Sequence, residues 1–554
     1  MTLAIVAIGF LGILALAYRF YGRFVARQFA IDDSRPTPAT VREDGVDFVP
    51  TAPFYLFGQH FSAIAAAGPI AGPILACQVF GWVPCLVWIG LGVVFIGAVH
   101  DFSSLAASVR HGATSVAEIA RERLGTPAGR AMMLFIWIAL IYVIVAFTDI
   151  TAGSFTEGTE ELAAGSIAFN PGGAVAMASV LYLALSVAMG LVQRFLRPPL
   201  LLVTLIFVPA TFALALAGTH LSNVLVFDRL TWAFAILAYC AVASVTPVWA
   251  LLQPRGYLGG FVLYSALAIG VIGVLFGGYE IQQPGFKAWD SGTNTGAMFP
   301  FLFVTIACGA CSGFHGLVCS GTTAKQVSRE SHMHFVGYGA MLAEAFVALI
   351  ALVTVMIVLP ADLTGMKPGT IYGNGIGRFL TILIGPENLN FAITFGAMAF
   401  STFVFDTLDV CTRLGRYMLE ELFGWRTKLG SAAATAITIV PTALILGLAE
   451  KASWADYWTL FGASNQLLAG LTLIAVSVWL RQMGRSTWFT LAPAAFVLSI
   501  TLWALARIAI FSFNESSGFD AKLCNSVAAS ALIALAAFIV YSAVSRWKSP
   551  PLKA

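Results

Sequence analysis

Charged side chains are scarce in this sequence. Only 10% of its 554 residues are Asp, Glu, Lys or Arg, and 59% are hydrophobic, whereas about a quarter of the residues in a soluble globular chain are charged. The apolar residues form repeated runs of about 20, the length that a helix needs to cross a bilayer core of about 30 Å. Short stretches of alternating polarity, typical of a transmembrane β-barrel, are absent. Composition therefore predicts an all-α polytopic membrane protein.

Cysteine and net charge are also low, and each absence excludes a class of protein. The eight cysteines nearly all fall inside apolar runs, which indicates small packing residues rather than a disulfide framework. The net charge of +3 is spread along the loops, so nothing in it indicates a nucleic-acid partner.

The apolar runs predict fifteen transmembrane helices. Their expected bounds are 3–22, 59–81, 83–109, 130–154, 173–194, 198–218, 231–252, 256–279, 297–320, 335–359, 388–411, 430–449, 455–479, 488–513 and 521–545. With an outside amino terminus, most of the 30 Lys and Arg residues fall in inward loops. Positive charge is retained on the cytoplasmic side, so we expect a multi-pass membrane protein with an outside amino terminus and a cytoplasmic carboxyl terminus.

Three stretches are too polar or too short to span. Residues 28–57 are expected to form a cytoplasmic linker. Residues 114–125 have the periodicity of an amphipathic helix on the inner membrane face. Residues 369–385 are either an interfacial or gating helix or a loop that touches the surface.

The second predicted span contains two Gly-Pro pairs, Gly68-Pro69 and Gly72-Pro73. Proline cannot donate a backbone hydrogen bond, so Pro69 frees the carbonyl of Ala65 and Pro73 frees that of Pro69. Such groups persist within a membrane only where protein or a watery cavity surrounds them. Many secondary transporters build their site on broken helices of this kind. A broken helix, unwound around Gly68–Pro73 and lining a site, is therefore favoured over a kinked packing helix.

The seventh predicted span contains Pro247 and runs in the opposite direction, five helices later. This spacing is expected of a 5+5 inverted repeat over helices two to eleven. The expected organisation is a first helix with its linker (1–57), a transport core (58–425) and four peripheral helices (426–554).

Ionisable residues inside predicted spans are candidates for a functional site, because burying them in lipid is costly. Six of them fall at a similar depth in the inner half of the membrane: His60, His100, Asp101, His315, Asp406 and Asp409. A histidine beside a carboxylate is suited to proton coupling. We therefore expect His315 and Asp406 or Asp409 to approach His60. The alternative is a set of polar groups that only join helices.

The ninth predicted span reads CGACSGFHGLVCSGTTAKQ, residues 308–326. Cys308, Cys311, His315 and Cys319 share one helical face, but along a straight helix they would extend over about 16 Å. They could not surround one metal ion. Hydroxyl groups in the same segment suit a surface that lines a substrate or ion path, and they belong to Ser312, Ser320, Thr322 and Thr323.

Several stretches together resemble the carbon starvation protein A family. They are FGQHFSAIAAAGPIAGPILA (57–76), GAVHDFSSL (97–105), PVWALLQPRGYL (247–258), FPFLFVTIACGACSGFHGLVCSGTTAKQ (299–326), VGYGAMLAEAFVALIAL (336–352) and FDTLDVCTRLGRYMLEEL (405–422). The resemblance implies a secondary transporter of the bacterial inner membrane, linked to peptide or pyruvate uptake, with a 5+5 inverted repeat of the APC or LeuT type. The chain departs from the family pattern at Gln59, where a histidine is expected, and at His100, where a glutamine is common.

These observations favour an importer of short peptides or a small carboxylate such as pyruvate, coupled to H⁺ or Na⁺ and needing no cofactor. Its expected partners are the small-molecule substrate and the lipid bilayer. Two alternatives stay open. One is an intramembrane metalloprotein or hydrolase built on the histidines, although H-E-x-x-H is absent. The other is a passive channel or nutrient sensor.

Overall fold

A computed structural model describes residues 3–45, 47–159, 169–293, 295–448 and 454–547. Within these ranges the regular secondary structure is helical. No strand is present there, and the only β-type pairing is two isolated β-bridges. The helices are α1 Leu3–Gln28, α2 Pro38–Val41, α3 Pro53–Ile64, α4 Gly68–Phe80, α5 Trp82–Arg110, α6 Val116–Leu124, α7 Thr126–Phe155, α8 Pro171–Phe195, α9 Leu200–His220, α10 Arg229–Val245, α11 Leu252–Phe276, α12 Met298–Thr305, α13 Gly313–Gly321, α14 His334–Met356, α15 Pro368–Ile384, α16 Leu389–Phe423, α17 Lys428–Gly447, α18 Trp454–Gln482, α19 Trp488–Asn514 and α20 Ala521–Arg546. The all-α polytopic class is therefore confirmed.

The number of spans is lower than the fifteen expected. Within the described ranges, 12 helices are long and apolar enough to cross a membrane, or 13 when the bent pair α3–α4 counts as one span. The difference comes from two segments. Helix α10 has only 17 residues, and the ninth predicted span is divided into α12 and α13. Hydropathy alone does not distinguish such segments from continuous membrane helices.

Local sequence explains several helix ends and two of the shorter helices. Ser115 caps α6 through a hydrogen bond from the Glu118 N–H, so the amphipathic helix expected at 114–125 is confirmed. Residues 369–385 lie almost entirely within α15, which begins at Pro368 and ends before Gly385 at φ 87°. The linker is shorter than expected, because α1 extends to Gln28 and α3 already begins at Pro53.

The described chain forms two compact units. One consists of Leu140–Pro284 and Ile350–Tyr457 with the amino-terminal residues up to Ala7. We call it unit A. The other, unit B, consists of Ile8–Ala139, Gly285–Leu349 and the chain from Trp458 onward. Unit B holds both halves of the second and ninth predicted spans.

Pro247 does not interrupt a helix, contrary to the expectation for the seventh span. Helix α10 ends at Val245, and Pro247 lies in the turn before α11. The reason is local. Thr246 has extended backbone angles (φ −70°, ψ 140°), as the residue before a proline prefers. The 5+5 repeat, whose second break was placed here, stays a prediction.

The linker after α1 is tied to the loop that follows the ninth span, within unit B. Buried Glu330 accepts hydrogen bonds from Arg110 Nε at 3.0 Å, Arg110 Nη2 at 2.9 Å and the Asp32 N–H at 2.9 Å. Next to it, the Ser331 N–H and hydroxyl donate to Asp33 at 2.8 and 2.7 Å. These two hydrogen bonds hold the pKa of Asp33 below its usual 3.8, and the one from the Ser331 backbone N–H has the larger effect on the pKa.

Because they favour ionised Asp33, these bonds should stabilise the linker fully above about pH 4 and be lost as the pH falls through the lowered pKa. At pH 7, Asp33→Asn should speed hydrogen–deuterium exchange around Ser331. Asp47→Asn should leave exchange unchanged there. This carboxylate is 67% exposed, and its ion-pair partner among the described residues is Lys325 at 3.7 Å. Equal exchange in wild type and Asp33→Asn would contradict this role.

Candidate functional site

The second predicted span is broken, but one turn earlier than the prolines suggested. Helix α3 ends at Ile64, Ala65 has non-helical angles (φ −74°, ψ 50°), and α4 starts at Gly68 with a bend of 47°. Pro69 occupies the first turn of α4, where its missing N–H costs nothing. Pro73 lies inside α4. The expected unwinding across Gly68–Pro73 is therefore wrong in position, whereas the freed carbonyl of Ala65 does lie in the break.

A second break, which the sequence analysis did not predict, lies in the ninth span. Helix α12 ends at Thr305, and α13 begins only at Gly313. Residues 306–312 read IACGACS and contain no proline, so a search for prolines passes over them. The available signal was the combination of Gly309 with small neighbours in the middle of an apolar run.

The two breaks pack directly against each other inside unit B. A Cβ added to Gly72 would lie 2.6 Å from the Thr305 carbonyl oxygen, and one on Gly68 would meet the Cys308 side chain, with its Cβ at 2.6 Å. A Cβ on Gly309 would lie 3.6 Å from Pro69 Cα. Glycine at positions 68 and 72 therefore allows the two interrupted backbones to touch, since a larger residue at either would clash.

Side chains satisfy the backbone carbonyls freed at the end of α12. Trp458 Nε1 donates to the Thr305 carbonyl at 3.0 Å, Gln466 Nε2 to Phe303 at 2.9 Å and Trp88 Nε1 to Ile306 at 3.2 Å. Fixed partners of this kind make the break a defined structural element. Two of these donors come from α18, a buried helix in the stretch we expected to be peripheral.

The start of α13 is capped by a side chain from α18. Asn465 Oδ1 accepts from the Phe314 N–H at 2.9 Å, and Asn465 Nδ2 donates to Ser312 Oγ at 3.0 Å. The start of α4 differs, since its N-cap residue Ala67 provides no side-chain hydrogen bond. The two half-helices therefore present different amino ends.

A buried cluster of titratable groups lies behind the second break. His315 Nδ1 is 2.8 Å from Asp101 Oδ2, and His100 Nδ1 is 2.8 Å from Asp101 Oδ1. On its other side, His315 Nε2 is 3.3 Å from Glu344 Oε2. All four side chains are at most 1% exposed. One histidine thus bridges two carboxylates from different helices, α5 and α14.

Glu344 is the functional candidate that the predicted site lacked. It lies within the predicted span 335–359 and was not among the six ionisable residues grouped by their depth. Its 3.3 Å approach to His315 is an ion-pair contact, and neither carboxylate oxygen has a hydrogen-bond partner in the described chain. A buried carboxylate without such partners is costly to keep charged, so it is suited to taking up a proton.

His60 occupies the same region but has different partners. Its Nδ1 is 2.9 Å from Thr323 Oγ1, and its Nε2 is 4.0 Å from Cys319 Sγ. Cys319 in turn donates to the Asp101 carbonyl oxygen at 3.4 Å. His60 is therefore linked to the cluster through a thiol and the backbone, and its nearest polar partner is a hydroxyl group.

The remaining predicted residues are distributed differently. Ser320 donates to its own helix at the Gly316 carbonyl (2.7 Å), and Thr322 donates to that of Val318 (3.2 Å). Asp406 and Asp409 lie in unit A, where both contact Arg255. Their expected approach to His60, in unit B, stays a prediction.

The broken helices and the buried ionisable cluster are features of a polytopic helical membrane protein, and this is the class to which the chain belongs. The comparisons are more specific: the family model for carbon starvation protein CstA matches residues 1–374 and 363–504. This chain belongs to that family.

Curated relatives extend over most of the chain. It is 32% identical to the peptide transporter CstA of Campylobacter jejuni, over 94% of this chain and 81% of the relative. It is 31% identical to the pyruvate/proton symporter BtsT of Escherichia coli, over 91% of this chain and 81% of the relative. The chain is 30% identical to the peptide transporter CstA of Bacillus subtilis, over 100% of this chain and 99% of the relative. These relatives are transporters rather than enzymes.

Likeness to solved structures is weak. A manganese transporter of Eremococcus coleocola is 13% identical and covers 91% of this chain, with a TM-score of 0.46. That score is too low to assign a shared topology.

Proposed function

We propose that this chain is a secondary active carrier that imports a small carboxylate such as pyruvate, or short peptides, together with protons. The observation that carries the proposal is buried His315, which bridges Asp101 and Glu344 beside two broken helices. Broken helices supply backbone groups for a substrate, and a buried histidine between two carboxylates can change its proton occupancy. The named activities of the relatives support both parts.

A carboxylate of the substrate would lie at the amino end of α4, near Gly68–Gly72. Its N-cap residue Ala67 provides no side-chain hydrogen bond, and the amino end of a helix attracts an anion. The corresponding end of α13 is already occupied by Asn465. The difference favours α4 as the anion-binding half-helix.

Uptake into proteoliposomes tests the proposal. Radiolabelled pyruvate, other organic acids, and di- and tripeptides would be offered with no gradient, an inward pH gradient or an inward Na⁺ gradient. We expect accumulation above equilibrium with the pH gradient alone. Accumulation driven only by the Na⁺ gradient would identify Na⁺, rather than H⁺, as the coupling ion. Equilibration without accumulation would indicate a channel, and binding without flux would indicate a sensor.

The orientation is part of the same proposal. Because positive charge in the loops favours an outside amino terminus, a reporter fused after residue 554 should give the cytoplasmic signal. A periplasmic signal would invert the topology and contradict the loop assignment.

A further inference from the structure

Unit A contains a second buried ionisable cluster, centred on Arg255 of α11. This side chain is 0% exposed, and α11 is long and apolar enough to span a membrane. Arg255 Nη2 is 2.7 Å from Asp406 Oδ1, and Arg255 Nη1 is 2.5 Å from Asp409 Oδ2. The two carboxylates lie almost one turn apart on α16. Buried charge of this kind is retained in membrane proteins mainly where it has a function.

Two tyrosines complete the surroundings of the cluster. The Tyr239 hydroxyl donates to Asp409 Oδ2 at 2.8 Å and accepts from Arg255 Nη1 at 2.8 Å. The Tyr182 hydroxyl donates to the Arg255 carbonyl oxygen at 2.8 Å. Cys240 of α10 is buried close by.

The charges of this cluster do not balance. One guanidinium, which stays protonated at all relevant pH values, faces two carboxylates. Arg413 lies one turn further along α16, where its Nη2 donates to the Ala243 and Thr246 carbonyls at 2.8 Å each. Its positive charge acts on Asp409, but within the described chain only Arg255 forms ion pairs with the two carboxylates. Among the groups in ion-pair contact, one negative charge is therefore in excess if both carboxyl groups are ionised.

Unused hydrogen-bonding capacity points to what neutralises this charge. Asp409 is 3% exposed, and its Oδ1 is buried without a hydrogen-bond partner in the described chain. The Oδ1 of Asp406 also lacks a well-oriented hydrogen bond, although Arg255 is close. The side chain of Asp406 is 25% exposed. One carboxylate is thus enclosed, and the other is open enough to exchange protons.

A proton fits this site better than a metal ion does. Na⁺ would have to lie next to the Arg255 guanidinium, which repels it. The nearby Phe405 carbonyl already accepts from Arg255 Nη1 at 3.0 Å. A proton needs only one free carboxylate oxygen, and in the described chain Asp409 Oδ1 is such an oxygen.

We propose that Asp406 and Asp409, held by Arg255 and Tyr239, form a second proton-binding site of this protein, separate in its residues from the His315 cluster. Asp406 receives the proton from water, and the pair then carries one negative charge that Arg255 balances. Proton binding here does not depend on the proposed transport function. If transport is proton-coupled, this site supplies a second place where a proton can be carried.

Infrared difference spectroscopy of the purified, reconstituted full chain tests the site without a substrate. The probe is the proton itself, followed through the carbonyl stretching band of protonated carboxyl groups as pH is varied. Asp406→Asn or Asp409→Asn should remove one titrating band. Glu344→Gln, in unit B, and Asp362→Asn, at an exposed position, should leave that band in place.

Tyr239→Phe covers the case in which the aspartate variants fail to fold. It keeps every charge but removes a hydrogen bond to ionised Asp409, so the band should titrate at a pH higher by about one to two units. An unchanged band in the aspartate variants, or an unchanged midpoint in Tyr239→Phe, would overturn the proposal. Loss of the band on adding Na⁺ at constant pH would overturn it in favour of a metal-ion site.

A transport measurement separates this inference from the proposed function. If proton-coupled uptake fails while the infrared band behaves as expected, the proton site stands and the carrier proposal falls. If uptake is proton-driven and Asp406→Asn leaves the ratio of protons to substrate unchanged, the site takes no part in coupling.

Discussion

Glu344→Gln should lower gradient-driven accumulation by at least about tenfold while exchange of substrate across the membrane persists within about threefold. The substitution keeps the shape of the side chain but removes the carboxylate that His315 Nε2 approaches at 3.3 Å. A carrier that cannot load its proton can still move substrate in both directions, because exchange requires no net proton movement. Proteoliposomes with an imposed pH gradient measure the first rate, and counterflow without a gradient measures the second.

His60→Ala is the matched comparison for this prediction. His60 contacts Thr323 Oγ1 and Cys319 Sγ rather than a carboxylate, so its loss should reduce accumulation and exchange to the same extent. His315→Ala would leave Asp101 and Glu344 buried without their shared partner, a change that typically costs about 3–5 kcal/mol. It is therefore the less informative variant. Equal losses of both activities in Glu344→Gln would assign the cluster to helix packing.

Gly72→Ala should destabilise the fold by about 1–3 kcal/mol and abolish uptake, because the new methyl group overpacks the contact between the two breaks. The methyl would lie 2.6 Å from the Thr305 carbonyl oxygen and 3.3 Å from Ile306 Cα. Both are main-chain atoms, so no side-chain rotation relieves the clash. Thermal unfolding of the purified protein and uptake in proteoliposomes measure the two effects.

A pair of further glycine variants tests whether this effect arises at the contact itself. Gly68→Ala clashes with the Cys308 side chain, so Cys308→Gly should restore stability to Gly68→Ala but not to Gly72→Ala. Gly12→Ala in α1 has nothing within 4 Å of its new Cβ and should be neutral or slightly stabilising. A Gly72→Ala protein as stable and active as wild type would show that the breaks do not touch.

Depth along the helices predicted only some of the contacts that the six ionisable residues make, and the reason is geometric. Depth along a helix follows from residue number, and it correctly grouped Asp101 with His315 and His100. Depth carries no information about which way a helix faces. It therefore could not show that His60 would meet a hydroxyl and a thiol, or that Asp406 and Asp409 would pair with Arg255. Arg255 itself was counted among the loop charges, because the predicted span 231–252 ends before it and the next span, 256–279, begins after it.

The two helix breaks illustrate the same limit at the level of the backbone. Proline leaves an explicit signal, since it lacks an N–H wherever it occurs. Pro69 therefore marked a real break, whereas Pro247 marked only a turn between two helices. The break at 306–312 has no proline, and it persists because Trp458, Gln466 and Trp88 satisfy its carbonyls from elsewhere in the chain. Those partners are distant in sequence.

The sequence by itself determined that this protein lies in a lipid bilayer, that it is helical, where most of its spans lie and which titratable residues are buried in them. These properties depend on the transfer of each residue into lipid and on the need of every backbone group for a local partner. Only the tertiary structure decided which ionisable groups meet, which apolar segments are interrupted and where two backbones touch. Such contacts depend on how helices rotate and pack, and a rotation that brings His315 between Asp101 and Glu344 leaves the hydropathy of every segment unchanged.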